Sequence, residues 1–117
     1  MRAIGQANNV FVFPGLGLGV IAAEATAVTD EMFLLAADVV ASSVTAQRFA
    51  AGGLYPPIAD LRAISRLIAI AVVEEARRIG IAGLAATVPA AEAVDEAIWE
   101  PRYVDYVVDP TAVNSPA

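Results

Sequence analysis

The sequence predicts a mainly α chain of four to five helices, preceded by one short N-terminal strand. Three observations predict it. Helix-start and helix-stop residues recur in order: Thr29 before Asp30-Glu31, Thr45, Pro89, and Gly80 after Arg77-Arg78. Long runs such as LIAIAVV (67–73) lack charge altogether, as a buried helix does. Only VFVF, Val10 to Phe13, has the β-branched and aromatic character of a strand.

Taken in order, Val10–Phe13 reads as a short buried strand that Pro14-Gly15 ends. Pro14 also suits the first turn of a following helix, where its missing N–H costs nothing. That helix runs from about Leu16 to Ala25, despite Gly17 and Gly19. Thr29 is the N-cap of a helix over 30–44, with Asp30 and Glu31 favourably placed against its dipole. Its internal charge is Asp38, beside Met32, Phe33, Leu35, Val39 and Val40. Thr45 caps a short turn to Ala51, which Gly52-Gly53 break. LYPP (54–57) is an extended connection, because a residue before proline avoids the α region. The longest helix spans about 58–79, with Asp60 near its start. Arg62 and Arg66 share one of its faces, and Glu74 and Arg78 form an i,i+4 pair. Pro89 opens a last helix to about Trp99, Pro101 ends it, and the polar tail 110–117 is loose. A lone strand has no partner, so its sheet is expected in residues outside this chain.

The 117 residues suffice for one small domain, and no repeat or linker divides them. Hydrophobic residues make up 58% and charged residues 17%, which excludes a disordered chain. All seven cationic residues are Arg, against thirteen acids, and the net charge of −6 argues against a nucleic-acid partner. Absence of Cys removes disulfides, thiolate nucleophiles and Cys metal sites. Absence of His removes the commonest metal ligand and the usual general base. The charge-free stretch from Ala3 to Ala23 and the 26 Ala suggest a piece of a larger fold or a membrane segment. A membrane span is not expected. The continuous apolar part, Val10–Ala23, has 14 residues broken by Pro14, Gly15, Gly17 and Gly19, where ~20 are needed. Met1-Arg2 and Ala23-Glu24-Ala25 imitate a signal peptide, but the polar QANN run separates Arg2 from the apolar stretch.

The run IGQANNVFVFPGLGLGVIAAEATAVTDEMFLLAA (4–37) resembles the C-terminal part of malic enzymes, most closely the bacterial NAD-dependent type. The resemblance continues through LYPPIADLRAISRLIAIAV (54–72) to Trp99, Tyr103 and Tyr106, and covers nearly the whole chain. Its most specific elements are GQxNN-x3-FPG and VTDEM. It implies the C-terminal portion of an α/β, Rossmann-type NAD-binding region. On that basis residues 1–14 are a junction strand with the Asn motif, 15–80 a helical layer, and 81–117 a C-terminal helix and tail. It implies oxidative decarboxylation of L-malate to pyruvate and carbon dioxide, with NAD or NADP and Mg or Mn in the complete enzyme. The malolactic enzymes share this region.

The resemblance implies that Asn8 and Asn9 bind the malate carboxylate and face the nicotinamide end of the cofactor. A neutral amide with donors and an acceptor suits either task. By residue type alone both are turn or capping residues. GLGLG (15–19) imitates a dinucleotide fingerprint, but GxGxxG needs glycine at position 20, which is Val20. These glycines read as structural, letting a helix pack closely or turn tightly. Asp30-Glu31 and Glu74-Glu75 read as helix-start charge and solvated face, since adjacent helical residues point apart. In the family the metal-binding acids and the catalytic Tyr and Lys lie upstream, and this chain contains no Lys. Tyr55, Tyr103 and Tyr106 match a turn and a tail rather than the catalytic Tyr. No catalytic or metal-binding residue and no cofactor held by this chain alone is therefore expected. The expected partners are L-malate, the remainder of the subunit and further copies in a cytoplasmic homo-oligomer. The alternative is a non-catalytic helical interaction module, or one half of a split enzyme.

Overall fold

The computed structural model describes residues 9–98 and 103–107. Among them are the helices α1 (Phe13–Ala23), α2 (Asp30–Ser42), α3 (Ala46–Ala50), α4 (Leu61–Arg78) and α5 (Ala90–Ala97). Short 3-10 turns, Asn9–Phe11 and Ile58–Asp60, precede α1 and α4.

The long helix α4 is the centre of the fold, with α1, α2 and α5 packed around it. Its apolar spacing explains this. Ile64, Ile68, Ala69, Val72, Val73 and Ala76 recur at helical intervals and are all buried. From α2, Met32, Ala36 and Val40 supply one buried residue per turn, and α5 contributes Ala90, Ala93 and Val94. Large and small side chains interleave, so the helices approach closely around a core of modest volume.

Most helix ends follow the sequence reading. The Thr29 hydroxyl accepts from the Met32 N–H at 3.3 Å, and the Thr45 hydroxyl accepts from Arg48 N–H at 3.2 Å. Helix α4 ends at Gly80, whose φ is 79°; Gly80 N–H donates to the Arg77 carbonyl and Ile81 N–H to the Ala76 carbonyl. That pair of bonds is a Schellman motif. Helix α1 ends in the same motif with Glu24 in the left-handed position, at φ 51°. After it, the chain at Ala25 forms an antiparallel bridge with Ala82. Thr26 N–H donates to the Ile81 carbonyl and Leu84 N–H to the Ala23 carbonyl. This bridge ties the exit of α1 to the exit of α4.

The expected strand Val10–Phe13 is not formed. Its residues fall in a 3-10 turn and the first turn of α1. A lone strand would leave its backbone donors and acceptors without partners, whereas helix satisfies them locally. Leu16 N–H donates to the Val12 carbonyl at 3.0 Å, and Pro14 occupies the first turn. The α1 helix therefore starts three residues before the expected Leu16. The ion pair on α4 also differs from the expected Glu74–Arg78. Arg78 instead binds Glu75 through two bonds of 2.8 and 2.6 Å. Glu75 lies on the buried face, 8% exposed, where its carboxylate needs a partner, while Glu74 is exposed to water. Helix α5 ends at Ala97, with Ile98 already extended, two residues before the expected end near Trp99. Trp99, Pro101 and the tail 110–117 lie outside the described residues.

Candidate functional site at the N-terminal junction

Asn8 lies outside the described residues, and Asn9 opens the 3-10 turn that leads into α1. What fixes that turn is Phe11, which is 1% exposed and belongs to the core. Its ring lies 5.7 Å from that of Tyr55, tilted by 32°. Tyr55 is in turn held from behind, because Arg48 Nε donates to its carbonyl and Pro56 beside it is fully buried. The LYPP connection thus anchors the residues that follow the Asn pair. Sequence reasoning assigned Tyr55 to a turn and missed its role as the seat of Phe11. The only available signal was aromatic character at both positions.

Beyond Phe11 the chain enters α1 at Val12, which gives no side-chain cap, and the first turn carries no acidic residue. The amide groups there present the positive end of the helix dipole close to Asn9 in sequence. Phe13 is half exposed and meets Phe33 of α2 edge to face, with centroids 6.2 Å apart.

The glycines of α1 do not form a phosphate cradle. A Cβ built on Gly15 would lie 2.7 Å from the Ser65 carbonyl oxygen and 2.8 Å from Ile68 Cβ. One on Gly19 would lie 2.7 Å from Val72 Cβ and 2.8 Å from the Ala69 oxygen. Both glycines face α4 and let the two helix backbones approach. Gly17 points to open space, with nothing within 4 Å. These glycines therefore do not fit the pyrophosphate of a dinucleotide. The described residues also contain no group of three or more carboxylates placed to hold a metal ion. No step through either group is assigned to them.

The charged groups are structural where they are paired. Arg66 Nε and a terminal nitrogen bind the Asp95 carboxylate at 2.6 and 2.9 Å, joining α4 to α5. The hydrogen bond from Arg66 holds the Asp95 carboxyl below its ordinary range, aided by the guanidinium charge. The hydrogen bond from Arg78 likewise lowers Glu75. Arg77 donates to the Ala85 and Val88 carbonyls and fastens the link between α4 and α5. Asp30 and Glu31 sit in the first turn of α2, where they complement its dipole. No described helix is long and apolar enough to cross a membrane.

Comparison with known proteins gives one consistent result. The malic enzyme NAD-binding domain matches residues 1–77. NAD-dependent malic enzymes of Salmonella arizonae, Salmonella newport and Salmonella enteritidis PT4 are each 38% identical over 103 residues. The match covers 88% of this chain but 18% of each relative, so the chain spans under a fifth of their length. By both comparisons, the chain belongs to the malic enzyme family.

Proposed function

We propose that this chain is the C-terminal segment of an enzyme that oxidatively decarboxylates L-malate to pyruvate and carbon dioxide. The complete enzyme would use NAD and a divalent metal, supplied with binding sites by residues outside the chain. The observation that carries this reading is the match of residues 1–77 to the malic enzyme NAD-binding domain. In this reading the chain completes a Rossmann-type unit as its helical layer, and the whole enzyme is a cytoplasmic homo-oligomer.

Asn8 and Asn9 are the chain's own contribution to the active-site wall. An Asn amide donates N–H to the substrate carboxylate and accepts from a carboxamide, without adding charge that would compete with a metal. Anchoring supports the assignment of Asn9. It precedes the buried Phe11 by two residues, so its backbone is positioned by the Phe11–Tyr55 contact. A group held this way orients substrate without first losing the freedom of a loose loop. The exposed side chains Phe13, Ile21, Leu34 and Phe49 support docking of the rest of the subunit on this layer.

The test is a chimera in which this chain replaces the matching stretch of the Salmonella newport relative. Malate-dependent formation of NADH is expected. Asn8→Ala and Asn9→Ala, made separately in it, are each expected to lower kcat/KM for malate at least tenfold with melting temperature unchanged. A chimera whose kcat/KM is indifferent to both substitutions would overturn the site assignment.

A further inference from the structure

Helix α3 is a short element that buries none of its residues. Burial therefore does not explain why both of its ends are fixed. At its start the Thr45 hydroxyl accepts from Arg48 N–H. At its end Gly52 adopts a φ of 92°. Gly52 N–H donates to the Phe49 carbonyl and Gly53 N–H to the Arg48 carbonyl, each at 2.9 Å. These two bonds are a Schellman motif. The turn brings the buried Gly53 against Arg48, and a Cβ built on it would lie 2.8 Å from Arg48 Cγ. Past that glycine the Arg48 side chain runs forward, and its Nε donates to the Tyr55 carbonyl seven residues on.

Arg48 thus closes the loop twice, by its backbone at Gly53 and by its side chain at Tyr55. On the other side of Tyr55 stands Pro56, which is fully buried. The Tyr55 backbone is therefore fixed at the point where its ring meets that of Phe11, 5.7 Å away. Phe11 belongs to the core, and the 3-10 turn that ends at Phe11 opens at Asn9. A relay runs from Arg48 through Tyr55 and Phe11 to Asn9.

We propose that Arg48 is a positioning residue for malate: it holds Tyr55 where Phe11 seats, and so aims the Asn motif without touching substrate. This rests on the reading that Asn9 binds the malate carboxylate. It gives an exposed helix with two fixed ends a task that core packing does not. Small misplacements of a binding group are costly even when they begin far from the chemistry. A relay that sets ground-state binding acts on KM for malate rather than on kcat. The part of Arg48 that matters is the donor at Nε, and a glutamine amide carries an N–H equally far along its side chain.

Arg48→Met keeps the stem beside Gly53 and removes the donor, whereas Arg48→Gln keeps both. In the 117-residue chain, nuclear relaxation of the Asn9 amide is expected to show lost order with Arg48→Met and retained order with Arg48→Gln. In the Salmonella newport chimera, Arg48→Met is expected to raise KM for malate about three- to tenfold, with kcat within about twofold. Arg48→Gln is expected to restore the parent KM. Added to Asn9→Ala, Arg48→Met is expected to change KM by less than about twofold, because residues on one path do not act additively. Equal KM values for Arg48→Met and Arg48→Gln would overturn the role of the donor. An Asn9 amide unchanged by Arg48→Met, or the full Arg48→Met effect persisting beside Asn9→Ala, would overturn the route through the motif. If Asn9→Ala itself leaves malate kinetics unchanged, the substrate role of Asn9 fails and the proposal falls with it. A large effect of Asn9→Ala with none from Arg48→Met sinks the positioning role alone.

Discussion

Gly19 of α1 lies so close to Val72 of α4 that a Cβ added to it would stand 2.7 Å from the Val72 Cβ. Gly15, one turn earlier, has the same relation to Ile68 at 2.8 Å. The two glycines therefore set the spacing between the helix that carries the junction and the helix at the centre of the core. Gly15→Ala and Gly19→Ala are each expected to destabilise the fold by about 1–3 kcal/mol, as overpacked cores do. Gly17→Ala meets nothing within 4 Å and is expected to stabilise by about 0.5–1 kcal/mol through helix propensity. Urea unfolding followed by circular dichroism checks all three. A Gly19→Ala variant as stable as Gly17→Ala would refute the close approach.

The Phe11–Tyr55 contact is the anchor of the Asn motif. Phe11→Ala removes a fully buried ring and is expected to cost about 3–5 kcal/mol. Thermal unfolding reads this directly. A loss below about 1 kcal/mol would show that the turn before α1 is held by something else.

Glu24 occupies a left-handed position at the end of α1, a conformation that costs a residue with a side chain roughly 1–2 kcal/mol. Glu24→Gly relieves this but gives the unfolded chain more freedom. The balance predicts stabilisation by about 0.5–1 kcal/mol. A melting temperature that falls would mean that the Glu24 side chain, which packs on Gly83, matters more than the backbone.

The pH dependence follows from two carboxylates. Glu75 and Asp95 are both held below their ordinary pKa, chiefly by hydrogen bonds from Arg78 and Arg66. A depressed pKa in the folded state contributes stability that is complete above the unfolded value, about 4, and is lost as pH falls through the folded value. The urea midpoint is therefore expected to fall as pH drops from 5 to 3. Glu75→Gln is expected to flatten that fall. The Arg66–Asp95 pair is well exposed, so Asp95→Asn should have the smaller effect, and added salt should weaken it further. A midpoint independent of pH over this range would contradict both pairings.

The helices were legible in the sequence because their end signals are local. Thr29, Thr45 and Gly80 act through backbone groups within four residues, and each does what its residue type predicts. Val10–Phe13 misled because β-branched and aromatic composition describes burial as well as strand. Phe11 is buried, but with no neighbouring strand among the described residues its backbone turned into helix instead. The structural reading of Gly15 and Gly19 held, since the missing Gly at Val20 argued against a cofactor loop. The choice of Glu75 over Glu74 for Arg78 was not legible, because it depends on which carboxylate α4 turns toward its neighbours. The site reading of the Asn pair rests only on its resemblance to a family. Nothing in the spacing of two asparagines distinguishes a substrate contact from a turn.

The most direct test of the account is malate-dependent NAD reduction by the purified 117-residue chain with Mn, alone and beside the preceding portion of the Salmonella newport relative. The account predicts no turnover from the chain alone and turnover when both pieces are present, because the dinucleotide cradle, metal ligands and catalytic Lys are assigned to the other piece. Steady turnover by the chain alone would contradict the assignment of that chemistry to other residues. A folded two-piece complex without turnover would contradict the proposal that this chain completes a malic enzyme.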